Sequence, residues 1–125
     1  MGGGCPVVWI VNAQHWPRAL LRAELIERGF DAAGHASLAH ALAALRHPFV
    51  PQPRLIVLEL RGLAASLDQL GALARFDVPV LLLGGAIELA AGWVDGFEWA
   101  AVIRRPYSIG AVADRVEELL GASGG

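Results

Sequence analysis

The chain contains no lysine. Its 10 basic side chains are all arginine, set against 12 Asp plus Glu. No side-chain ammonium is therefore available to any mechanism. The formal net charge of -2 argues against the broad basic footprint of a nucleic-acid binder and against a membrane-attracted polybasic surface. One cysteine, Cys5, excludes an intrachain disulfide and a cysteine-rich zinc site, and reads as a small buried or terminal thiol. No apolar run reaches the length of a bilayer span, and no basic segment precedes an apolar one at the N-terminus, so the expected location is the cytoplasm. Charge is also scarce: 18% of residues are charged, where about 25% is typical, and mean hydropathy is +0.49. Such a balance leaves apolar surface for a partner. Ala- and Gly-rich, lysine-free usage matches GC-rich, bacterial genomes.

What is present is an alternation of buried strands and amphipathic helices within 125 residues, enough for one domain and too few for two ordinary ones. Pro6 to Val11 is a continuous apolar, β-branched run, as expected of a strand buried on both faces. A helix follows from Pro17 to Arg28, with Leu21 and Leu25 inward, and Gly29 ends it. Residues 31–36 are poor strand formers whose length suits only a short edge strand. Ser37 caps a helix whose Leu38, Ala41, Leu42 and Leu45 share one stripe. The proline-rich stretch 47–53 is a loop into the strand Leu55 to Leu60. A helix over Leu67 to Arg75, a strand over Val78 to Leu83, a short helical piece over Ala86 to Ala91 and a strand over Ala100 to Ile103 come next. Ser108 then caps a last helix with Ile109, Val112, Ala113, Val116, Leu119 and Leu120 on one face. Five strands alternating with five helices predict an α/β, flavodoxin-like three-layer sandwich: a parallel sheet of order 2-1-3-4-5 with helices on both faces. The single domain is expected over 5–122, with 1–4 and 123–125 as flexible ends.

Chemistry in such folds sits beyond the carboxyl ends of the strands. Glu59 stands there, at the end of an apolar strand and before the Arg61-Gly62 turn, with no second acid in reach by sequence. The ordered segments IVNAQHWPRALLRAEL, PRLIVLELRG, VPVLLLGG and VIRRPYSIGAVADRVEELL resemble the response-regulator receiver domain over nearly the whole chain. Arg105-Pro106-Tyr107-Ser108 is similar to the family's Lys-Pro-Phe-Ser turn, where the proline peptide is often cis.

The resemblance implies a site and also its loss. The two acids that hold magnesium in receivers correspond to Asn12 and Ala13, and a hard octahedral cation is poorly served by an amide and a methyl. Glu59 takes the phosphoacceptor's place, with a carboxylate about an angstrom beyond the reach that in-line transfer needs. Gly84 replaces the hydroxyl residue, Arg105 the lysine, and Val102 the aromatic switch. These departures imply a pseudo-receiver with no magnesium and no enzymatic activity, a CheY-like module for protein interaction in two-component signalling. Glu59 and Arg105 are expected to pair and imitate the phosphorylated contact; two solvated charges are the alternative.

A degenerate pocket of Asn12, Ala13, Glu59, Gly84, Arg105 and Pro106 moves function to a surface. Receivers use the face of the fourth helix, fifth strand and fifth helix to dimerise or to dock an output domain. Trp93, Phe97, Trp99, Val102 and Tyr107 are the candidates there, unless the aromatics simply fill core space. His15 and Trp16 are placed to line a small-ligand cleft. His35, His40 and His47 lack metal-ligand spacing and read as solvated or capping groups. Ser37, Ser66 and Ser108 lack the context of a nucleophile elbow. Two other functions compete: a sensor of a small anion or nucleotide using Asn12, Gly84, Gly85 and Arg105, and an atypical receiver phosphorylated elsewhere.

Overall fold

A computed structural model describes residues 6–124, with side chains described to residue 121. Cys5 and residues 1–4 and 125 of the expected flexible ends lie outside that range. The strands are β1 (Val7–Val11), β2 (Asp31–His35), β3 (Leu55–Glu59), β4 (Val80–Gly84) and β5 (Ala101–Arg104). The helices are α1 (His15–Glu27), α2 (Leu38–Arg46), α3 (Leu67–Ala74), α4 (Ala86–Leu89) and α5 (Ile109–Gly124), with a 3-10 helix over Gly92–Gly96. All four strand pairings are parallel, in the order β2-β1-β3-β4-β5. That is the topology the alternating pattern predicts.

The central strands β3 and β4 are buried at every position because helices cover both faces. Alternate residues feed two cores. Val8, Ile10, Leu55, Val57, Leu81 and Leu83 pack under α1 and α5, whose Leu21, Leu25, Val112 and Val116 close that side. Trp9, Val11, Ile56, Leu58 and Leu82 pack under α2 and α3, with Leu42, Leu45, Leu70 and Leu73 opposite. Residues 31–36, poor in strand formers, do form β2, from Asp31 to His35, because each pairs in register with β1 from Val7 to Val11. Ladder bonds there outweigh propensity, which is weak for an edge position.

Helix ends follow local chemistry. The Oγ atoms of Ser37 and Ser108 accept from His40 N and Ala111 N at 3.1 and 3.0 Å. Ser66, weighed in sequence only as a nucleophile, forms a capping box with Gln69 on α3. Pro17 lies within the first turn of α1, which begins two residues earlier than expected, at His15. Gly29 takes φ +95°, a left-handed conformation that closes the helix. Arg28, at the end of α1, bonds Glu24 at 2.8 Å and reaches across to Asp114 and Glu117 of α5 at 2.7 and 2.9 Å.

The largest difference from expectation lies after β4. The helical piece expected over Ala86 to Ala91 stops at Leu89, giving one turn of α4 and then the 3-10 segment. With so short a helix, the outer side of β5 is left partly bare: Val102 is 47% exposed, and Ile87 on α4 is 90% exposed. Among the described residues no helix is long and apolar enough to cross a membrane.

Candidate functional site

The carboxyl ends of β1, β3, β4 and β5 bring Asn12, Glu59, Gly84 and Arg105 to one edge of the sheet. Glu59 closes β3 opposite Leu83, and the amide of Arg105 bonds Gly84 O at 2.8 Å, which carries the guanidinium over the strand ends. Glu59 points to the α1 and α5 side, following the alternation of Leu55 and Val57, and is only 4% exposed. A buried carboxylate needs a compensating cation and hydrogen bonds. It has both.

Arg105 Nη1 donates to Glu59 Oε2 at 2.7 Å, and Arg61 N donates to the same oxygen at 3.0 Å. The Tyr107 hydroxyl donates to Glu59 Oε1. On its other edge, Arg105 Nη2 donates to Glu88 Oε1 at 2.5 Å, the oxygen that also accepts from Gly85 N at 2.7 Å. One guanidinium therefore bridges two carboxylates, one on β3 and one on α4. Only a planar, multidentate cation does this in fixed geometry. The expected Glu59 to Arg105 pair is present, and two residues the sequence did not assign to the site, Glu88 and Tyr107 as a phenol donor, complete it. The Arg105–Pro106 peptide is cis.

The charges respond to this arrangement. Burial acts to lower the Arg105 pKa, but the bonds to Glu59 and Glu88 outweigh it and hold the guanidinium above its ordinary value. The Gly85 amide, opposed by partial burial and aided by Arg105, holds the Glu88 carboxyl below its ordinary value. Burial first, and the Glu59 carboxylate second, push the Tyr107 phenol up. Because the folded pKa is raised, stabilisation by this phenol is complete below the unfolded value and is lost as pH climbs past about 10. Tyr107 is the chain's one tyrosine. Its phenolate absorbance is expected to appear well above the ordinary range and together with alkaline unfolding; titration at the ordinary value would mean that the phenol is not on Glu59.

The remaining positions are closed or displaced. A side chain at Gly84 would begin 3.0 Å from Leu89 Cδ2 and 3.3 Å from Leu60 Cδ1, so these leucines occupy the space a hydroxyl residue would need. A Cβ at Gly85 would lie 2.9 Å from Arg105 Nη2. Gly85 thus leaves room for the Arg105 guanidinium, and Gly84 for the side chains of Leu89 and Leu60. Asn12 is 5% exposed; its Oδ1 accepts from Gln14 N at 2.9 Å and its carbonyl from Arg18 Nη1 at 2.7 Å. Ala13 is exposed. Among the described residues no group of three or more His, Cys, Asp and Glu is placed to hold a metal ion.

Trp93, Phe97 and Trp99 form a cluster with ring centroids 5.8–6.4 Å apart, half-buried against the core under α2 and α3. Trp99 Nε1 donates to Val94 O at 2.9 Å. Val102 lies in the open, and Tyr107 turns inward to Glu59. His35 departs from the solvated role expected of it. Its ring lies 4.5 Å from Trp9, its buried Nε2 has no hydrogen-bond partner among the described residues, and burial, then His40, lowers its pKa. His15 and Trp16 stack edge to face, with Trp16 70% exposed. His47 Nδ1 accepts from Phe49 N at 3.2 Å, and His40 is exposed.

No protein-family model matches the chain, and no curated protein does. Solved structures do. A response regulator receiver protein from Pseudomonas putida aligns with 94% of this chain and 99% of its own at TM-score 0.77 and 21% identity. The signal receiver domain of a putative Luxo repressor protein from Vibrio parahaemolyticus covers 96% and 93% at 0.75 and 17%. A response regulator receiver protein from Sinorhizobium medicae WSM419 covers 94% and 96% at 0.74 and 16%.

Proposed function

The chain has the receiver-domain fold of response regulators, and we propose that it works as a phosphorylation-independent pseudo-receiver, a protein-interaction module in bacterial two-component-type signalling. The observation that carries this reading is the Arg105 bridge between Glu59 and Glu88. In the receiver mechanism the lysine at this position meets a phosphorylated acceptor. Here a permanently charged arginine already meets a carboxylate, so one conformation is held with no modification. Both oxygens of Glu59 are engaged, and Leu60 and Leu89 fill the space beside Gly84.

Output then depends on a surface. Val102 exposed on β5, Ile87 exposed on α4 and the half-buried Trp93, Phe97 and Trp99 support docking of a protein partner, an output domain or a second copy. Apolar anchors next to aromatics are the usual centre of such contacts. Incubation with magnesium and acetyl phosphate is expected to leave the intact mass unchanged. Val102→Arg is expected to abolish self-association or partner capture without altering the melting temperature. A stoichiometric phosphoryl adduct, or an association indifferent to Val102→Arg, overturns the reading.

A further inference from the structure

His35 ends the edge strand β2, opposite Val11 of β1, and takes no part in the Glu59 and Arg105 network. Its ring packs 4.5 Å from Trp9, which is only 2% exposed. Its Nε2 is the one buried side-chain nitrogen or oxygen without a hydrogen-bond partner among the described residues. Beside the ring is a hollow of about 190 Å³, lined also by Trp9, Asp31, Ala33, Val50 and Pro51. That volume falls short of the roughly 300–1,000 Å³ of small-molecule sites but leaves room for an imidazole to turn.

The charge of this ring decides whether it can stay. A neutral imidazole protonated at Nδ1 leaves only a lone pair at Nε2, whereas an imidazolium carries a donor on both nitrogens. Protonated in place, His35 would bury a charged N–H with no acceptor, against an indole. The indole face attracts a cation, but one tilted ring contact does not replace the hydration that burial removes; burial, with His40 second, sets the pKa of His35 below its ordinary value. No carboxylate offsets this. Asp31, on the same face of β2, lies four residues back, roughly 13 Å along the strand, beyond the screening length of about 8 Å at physiological salt. The groups that face this end of β2 are otherwise positive or neutral: His40 in the first turn of α2, Arg18 of α1 against Gly34, with His15 3.5 Å beyond it, and Arg22 of α1 on the Ala32 carbonyl at 2.9 Å. Glu24 of α1 is spent on Arg28, and β1 and the loop of Val50 and Pro51 present apolar side chains.

We propose that His35 is an acid-released latch: neutral, its ring closes the β2 edge over Trp9, and protonated it swings out to solvent, uncovering Trp9 and loosening the start of α2. The link to α2 is short. Ser37, which caps that helix through its bond from His40 N at 3.1 Å, follows two residues after His35. The His35 carbonyl accepts from Asn12 N at 3.0 Å, so the strand stays paired while the ring moves. Closure is complete above the ordinary histidine value of about 6.5 and is lost as pH falls below it, because the open form takes up the proton and the closed form resists it. The latch uses none of the groups of the Arg105 bridge, so it stands or falls apart from the pseudo-receiver reading.

The test is a titration of imidazole and indole chemical shifts in the intact chain from about pH 7.5 to about pH 5, a range in which carboxylates of ordinary pKa stay mostly ionised. His35 is expected to titrate below the ordinary range, with the Trp9 indole shift following the same curve. Hydrogen-exchange protection of the Trp9 indole, corrected for the intrinsic rate, is expected to fall about three- to tenfold between about pH 6.5 and 5.5. His35→Phe keeps an aromatic ring on Trp9 with no titrating group and is expected to abolish the pH dependence of the Trp9 signals. His40→Gln, at an exposed position, is expected to move the His35 midpoint up and leave the Trp9 response in place. Should His35→Phe fail to fold, the wild-type and His40→Gln titrations decide alone. Titration of His35 at the ordinary value, a Trp9 response that persists in His35→Phe, or an unchanged Trp9 while His35 takes up its proton overturns the latch.

Discussion

Arg105→Ala is expected to destabilise the domain by about 3 kcal/mol, measured by denaturant unfolding at neutral pH, because removing one member of a buried pair strands the other. Glu59 would keep the Tyr107 hydroxyl and the Arg61 amide but lose its counter-charge. The same change frees Glu88, so α4 loses its tie to the strand edge. Glu59→Gln should cost less, since the amide keeps an oxygen for the guanidinium and leaves no charge unpaired. The double variant Glu59→Leu with Arg105→Met is expected to recover more than half of the loss from Arg105→Ala, as apolar replacements of buried pairs often do. If Arg105→Ala is neutral, the bridge does not hold the conformation and the proposed lock fails.

The other large effect separates the two cores. Leu81 and Leu82 are both fully buried on the central strand β4 and face opposite sides. Truncation of either to alanine should cost about 2–5 kcal/mol, with the larger value where neighbours cannot relax into the void. Leu81 lies under α1 and α5, which are 13 and 16 residues long, whereas Leu82 faces α3 of 8 residues and the short α4. The long helices are tied by Arg28 and are less free to collapse. Leu81→Ala is therefore expected to be the more destabilising by about 1 kcal/mol. Equal losses would mean that the side bearing α4 is as rigid as the other.

Much of this was legible in the residues themselves. Runs such as Leu55 to Leu58 and Val80 to Leu83 declare doubly buried strands, and the Leu38, Ala41, Leu42, Leu45 stripe declares a helix, because burial imposes these patterns directly. The Glu59 to Arg105 pair was expected from the resemblance to receivers, which puts Arg105 in place of the family's lysine, with two solvated charges as the alternative; the pair is what forms. Tyr107 as its third member was not expected, since nothing local says whether the ring after Pro106 turns in or out. Glu88 carried a faint signal: a glutamate three residues after Gly85 suits a bond back to that amide, as observed. The truncation of α4 was the least accessible, because Ala86 to Ala91 has good helix formers, and the 3-10 turn over Gly92–Gly96 depends on Val94 and Trp99 packing inward. His35 misled for a similar reason: a polar residue on an edge strand reads as wet, yet Trp9 on the neighbouring strand covers it.

Arg28, steadied by Glu24 on its own helix, joins α1 to α5 through Asp114 and Glu117. Asp114 and Glu117 stand exposed, so the grip of this clasp on the two helices loosens as salt screens their charges, while the apolar seam of Leu21, Leu25, Val112 and Val116 beneath it is indifferent to salt.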